Sequence, residues 1–151
     1  MNTSEILGDM NRVPGASGSV GPDSVLDVLA PAKEVPGILA ALKKSGFGHL
    51  SFVTAKDLPS ENLIELVYRL FSYVSRTDAS VRTRLDRANP SAPSVSGIFR
   101  TAEWHERETA EMFGVEFSGH PCPGKLLLPD GVEAPLRKDF KHEEMTPLPA
   151  V

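Results

Sequence analysis

Prolines stand at positions 121, 123, 129, 135, 147 and 149 of this chain, and they limit what its C-terminal stretch can become. Each lacks a backbone N–H and clashes with the preceding turn, so no helix or central strand of any length fits there. A run this long without regular structure is unusual in a compact domain unless it is functional or disordered. It is not uniformly polar, however: Phe117, Leu126, Leu127, Leu128, Leu136 and Phe140 punctuate it. Burying one such side chain is worth ~1.5–3 kcal/mol, so the segment gains by lying against something apolar. An extended arm clamped on a neighbouring protein accounts for both features. The alternative is an arm folded back over its own sheet.

The rest of the chain is ordinary in composition. Its 151 residues suit one domain with a single core, and 40% apolar with 24% charged residues is the balance of a globular protein. A net charge of -4 argues against nucleic-acid binding, which relies on a basic surface. Arg82, Arg84 and Arg87 read as a solvated strand face. One cysteine, Cys122, excludes an intrachain disulfide and fits a reducing compartment. No run approaches the ~18 apolar residues of a membrane span, and the N-terminus lacks a signal-peptide pattern. The expected location is therefore cytoplasmic.

Residues 1–23 are rich in Gly, Ser, Asn and Pro and read as a flexible extension, with room for a short helix near Ile6 to Met10. Residues 24–115 form the expected domain and 116–151 the arm. Val25 to Leu29 suits a first strand. A helix is expected up to Ser45, with Ile38, Leu39 and Leu42 on one face and Gly46 as its stop. His49 to Thr54 alternates as a second strand, and Val81 to Leu85 as a half-exposed antiparallel one. Leu63 to Val74 fits helical and strand periodicity alike. Ser96 to Phe113 is the clearest helix, with Ile98, Ala102, His105, Thr109 and Met112 along one stripe and Gly114 closing it. Helices bracketing a run of strands make a small α+β domain with a mostly antiparallel sheet.

On that helix Glu103–Arg107, Arg107–Glu111 and Arg100–Glu103 have ion-pair spacing, each pair worth ~0.2–0.5 kcal/mol when exposed. One reading is a solvated, salt-bridged face. The other is that Glu106, Arg107 and Glu108 face a partner, which the apolar arm alongside favours. His105-Glu106 fails the zinc-protease pattern, because Thr109 stands where the second histidine belongs. His120 and Cys122 supply half a metal site and find no companion cluster. No nucleophile elbow, P-loop or dinucleotide fingerprint occurs.

Two blocks, Trp104 to Pro121 and Pro135-Leu136-Arg137-Lys138-Asp139-Phe140, resemble the signature of the 30 kDa-type subunit of the respiratory NADH–quinone oxidoreductase (complex I). The resemblance spans about residues 25–140. It implies a strand at Leu66 to Leu70, within the ambiguous segment. It also implies a non-catalytic peripheral-arm subunit whose C-terminal arm wraps the quinone-site and iron–sulfur subunits. The chain itself would hold no catalytic, cofactor or metal residue. NADH, quinone, flavin and iron–sulfur clusters would sit on its neighbours, and proton translocation would belong to membrane subunits. Attachment to the cytoplasmic face of the membrane would come through those partners. The expected interface residues are Glu106, Arg107, Glu108, Phe113, Phe117, His120, Pro121, Leu136, Arg137, Lys138 and Asp139, with Arg137 gripping a partner carboxylate. The chain departs from the family pattern at Cys122 to Lys125 and at Asp130 to Ala134. Related subunits serve membrane-bound hydrogenases and the archaeal F420H2 dehydrogenase, so the electron donor stays open. A small independent metal-binding enzyme using His120, Cys122 and Asp139 is the remaining alternative.

Overall fold

A computed structural model of the chain describes residues 3–142. Pro147 and Pro149, expected within the arm, lie outside the described residues. The elements run α1 (Thr3–Met10), β1 (Ser17–Val20), β2 (Leu26–Leu29), α2 (Val35–Lys44), β3 (His49–Leu58), β4 (Leu63–Ser72), β5 (Thr77–Asp86), β6 (Ser91–Pro93), α3 (Ala102–Phe113) and β7 (Glu116–Ser118). Five strands form one sheet in the order β1-β2-β5-β4-β3, and β6 pairs with β7 in a small second one. Within the larger sheet only β2 and β5 run parallel. This is an α+β fold with a mostly antiparallel sheet.

The ambiguous segment is strand β4. Its side chains alternate, with Ile64, Leu66, Tyr68 and Leu70 in the core and Val67, Arg69 and Phe71 half-buried on the other face. It pairs with β3 and β5 on its two sides, so it is a central strand whose neighbours supply both its backbone partners and its packing. Helix α2 lays Val35, Ile38, Leu39 and Leu42 on the core face. The opposite face carries charge in matched pairs. Arg82 holds Asp27 through two bonds of 3.0 and 2.6 Å, and Arg84 reaches Glu65 at 3.3 Å. These arginines cross-link strands rather than standing free in solvent. Arg87 turns instead to Asp57.

The N-terminal segment, expected as a flexible extension, carries α1 and β1. Ile6 and Met10, one helical turn apart, are buried in the core, and β1 pairs with β2 along four residues. The Asn11 side chain accepts a hydrogen bond from Gly18 N at 2.7 Å and closes the turn between α1 and β1. A few well-spaced apolar side chains outweigh a polar average because each is fully desolvated.

The principal helix also begins later than expected. Residues 95–101 form turns, with Phe99 N donating to Val95 O at 3.0 Å. Its buried stripe is Ala102, Glu106, Thr109 and Phe113, rotated by about one residue from the stripe read in sequence. The rotation follows from Glu106, whose charge hides the fact that it points inward. Helix α3 packs chiefly on β3, where the Thr109 hydroxyl donates to Val53 O at 3.2 Å.

Candidate partner interface on helix α3 and the arm

Glu106 is fully buried. Its carboxylate accepts the Ser94 hydroxyl at 2.6 Å and Val95 N–H at 2.7 Å. Burial pushes its pKa up, against the pull of those two donors and of His120, whose Nε2 lies 3.7 Å away. His120 is itself sheltered: Nδ1 accepts Cys122 N–H at 3.1 Å, and Nε2 is 3.0 Å from Glu103 O. The Nδ1 contact places the ring proton on Nε2, which then donates to that carbonyl. The side chains of Glu106 and His120, both among the expected contact residues, therefore face their own domain. Phe113 and Phe117 are buried in the chain's own core.

Arg107, Leu136 and Arg137 lie where the arm meets α3. Arg107 forms neither expected ion pair. Its Nη2 donates to Lys125 O at 2.8 Å and its guanidinium stands 5.5 Å over the Trp104 ring. Glu111 binds backbone rather than arginine, accepting N–H groups from Leu126 and Leu127. Burial works against that carboxylate, yet the N–H groups of Leu127, Leu126 and Leu128, with Arg107 nearby, hold its pKa low. Ala134 N donates to Glu111 O and Leu136 N to Met112 O, so the arm wraps the end of α3.

Arg137, expected to grip a partner carboxylate, is engaged within its own chain through one guanidinium nitrogen. Its Nε donates to Phe113 O at 2.7 Å, where a cation at the helix C-terminus also meets the favourable end of the dipole. Gly114 closes α3 at φ 71°, and a Cβ built there comes within 3.2 Å of the Arg137 guanidinium. Gly114→Ala is therefore expected to lose roughly 1–2 kcal/mol from the left-handed backbone, with crowding of Arg137 added. Urea unfolding of the purified chain checks it, and an unchanged midpoint would contradict the account.

Beyond Arg137 the arm is clasped to the far ends of two strands. Lys138 N donates to Asp57 Oδ2 at 2.8 Å, and Arg87 reaches Asp57 at 2.7 and 3.0 Å and Asp139 at 2.8 Å. The Arg87 hydrogen bonds lower the Asp57 pKa from 3.8 to about 2, with burial opposing and Lys138 N–H helping. The sequence does not show what Asp57, Arg87 and Glu111 bind, because their partners are backbone groups or lie far along the chain.

The arm thus folds back on its own domain, yet not all its anchors are covered. Leu127 is 64% exposed, Leu136 54% and Trp104 on α3 60%. Glu108, Pro121, Lys138 and Asp139 are exposed as well. A cleft of about 420 Å³ opens between α3 and β7, but the polar groups at its base, Glu106 and His120, already have partners. Among the described residues, no group of three His, Cys, Asp or Glu is placed to hold a metal ion. Nor, among them, is any helix long and apolar enough to cross a membrane.

Residues 28–146 match the family described as "Respiratory-chain NADH dehydrogenase, 30 Kd subunit". The chain belongs to that family. It is 39% identical over 116 residues to an NADH-quinone oxidoreductase subunit of Moorella thermoacetica, covering 76% of this chain and 78% of the relative. To an F(420)H(2) dehydrogenase subunit of Methanosarcina mazei it is 35% identical over 137 residues, 86% of this chain and 85% of that one. Among solved structures it is similar to a chain of the membrane-bound sulfane sulfur reductase, an archaeal respiratory membrane complex. That likeness has a TM-score of 0.80 and 34% identity over 91% of this chain and 85% of that one. A trypsin-resistant fragment of Nqo5 shares the fold, with TM-score 0.69 and 24% identity over 80% of this chain and 99% of the fragment. The 30 Kd-subunit family thus includes this α+β domain with its wrapped arm.

Proposed function

We propose that this chain is the non-catalytic peripheral-arm subunit of a complex-I-like NADH–quinone oxidoreductase. It holds the quinone-site and iron–sulfur subunits in register while electrons pass from NADH to quinone and membrane subunits translocate protons. NADH, flavin, quinone and iron–sulfur clusters are carried by those neighbours. The complex is attached to the cytoplasmic face of the membrane, and this subunit is peripheral to it.

One observation carries the reading. Trp104, Leu127 and Leu136 are exposed although each is held from within its own chain, by Arg107, Glu111 and the Met112 carbonyl respectively. Ordering large apolar side chains in water costs entropy that an interface recovers. Arg107, Glu108, Pro121, Lys138 and Asp139 belong to the rim of that surface, where charges set register more than affinity.

The likeness to the F(420)H(2) dehydrogenase subunit favours a second reading, in which the same scaffold serves a complex with another electron donor. The test is purification of tagged chain from gently lysed native membranes. Iron–sulfur and polytopic membrane subunits are expected alongside it, and assay of the complex with NADH or F420H2 separates the two readings. Recovery as a lone monomer overturns both.

A further inference from the structure

A shallow dimple of about 90 Å³ lies between β3, α3 and the arm, lined by Thr54, Glu108, Thr109, Met112, Phe113 and Leu136. From its chemistry we infer that this dimple receives a lysine or arginine side chain from a neighbouring subunit. The inference rests on the scaffold reading above and names the partner group that one part of the surface fits.

Most acidic side chains around the arm are engaged by their own chain. Asp57 and Asp139 hold Arg87, Asp130 holds Lys125, and Glu111 takes arm N–H groups. Glu108 is the exception at this spot. It is exposed, and among the described residues it enters no ion pair or hydrogen bond. A lone surface carboxylate is ordinary, but this one shares its dimple with Met112 and a half-exposed leucine. Leu136 is fixed there by its N–H on Met112 O at 3.0 Å. A basic side chain combines an apolar stem with a charged head, and it suits a wall of Leu136 and Met112 ending at a carboxylate. The volume, set against ~30 Å³ per water, admits the tip of one such side chain. An acidic partner group would meet repulsion from Glu108, and a purely apolar one would desolvate the carboxylate unpaired. Charge complementarity therefore selects the basic occupant.

Carboxyl footprinting of the native complex tests this. Carbodiimide with glycine ethyl ester labels Glu108 in the free chain, and labelling is expected to fall at least about tenfold in the assembled complex. Glu108→Lys is expected to lower recovery of the complex by a similar factor and Glu108→Gln by less, with the melting temperature of the free chain unchanged in both. Equal labelling in free and assembled forms overturns the inference. So does equal assembly of the Lys and Gln variants, which would indicate apolar contact without a cation. A chain that never enters the complex sinks the scaffold reading itself, whereas a chain that enters with Glu108 open sinks only the dimple.

Discussion

Glu106→Ala is expected to lower the stability of the purified chain by about 3–5 kcal/mol. The substitution strands the buried Val95 N–H at about 1–3 kcal/mol, removes the acceptor of the half-buried Ser94 hydroxyl, and leaves a cavity beside His120. For a chain of this size that corresponds to a melting temperature lower by roughly 10 °C. The pH dependence has a definite sign. Burial raises the Glu106 pKa in the folded state, so its contribution is greatest below the unfolded value and falls as pH rises through the raised one. Glu106→Gln removes that slope while keeping most of the volume. Melting curves across the carboxylate range read both effects; an alanine variant melting within about 2 °C of wild type would refute the buried network.

Asp57→Ala is expected to free the end of the arm. The carboxylate is the common partner of Arg87 and of Lys138 N–H, and removing one member of a buried pair costs about 3–5 kcal/mol. The arm is the part least covered by apolar packing, so the loss is expected as local opening before global unfolding. Trypsin should then cut after Arg137 and Lys138 much faster than in wild type, while the sheet survives. Because the Asp57 pKa is lowered from 3.8 to about 2, the clasp is fully stabilising above the former and is lost as pH falls through the latter. Acid opening of the wild-type arm should therefore lie between those two values. Unchanged cleavage in the variant would show that the arm is held by other contacts.

Apolar periodicity revealed α2 fully and β3 and β5 in part: α2 buries an apolar stripe, whereas a bulge after Leu50 turns Phe52 outward and Val53 inward in β3, and Asp57 in β3 and Thr83 in β5 are polar yet buried. It left β4 undecided, since Ile64, Leu66, Val67, Leu70 and Phe71 satisfy both periods and only strand neighbours decide between them. The stripe of α3 was misplaced for one chemical reason: sequence marks Glu106 as polar, while the fold supplies it with donors from residues 94 and 95. The arm posed a different problem. Its prolines announced a segment without helix or strand, but what it lies on is set by Glu111, Arg137 and Asp57 through bonds to backbone groups that no side-chain pattern encodes.

Strand β3 is an outer strand of the larger sheet, and α3 runs along it with the Thr109 hydroxyl on the Val53 carbonyl. An unshielded strand margin is an invitation to a second copy of the same chain, because its free carbonyl and amide groups template further pairing. Here one acceptor on that margin is already taken and a helix stands in the approach path. A protein that leaves such leucines uncovered is thereby less prone to fibrillar self-recruitment.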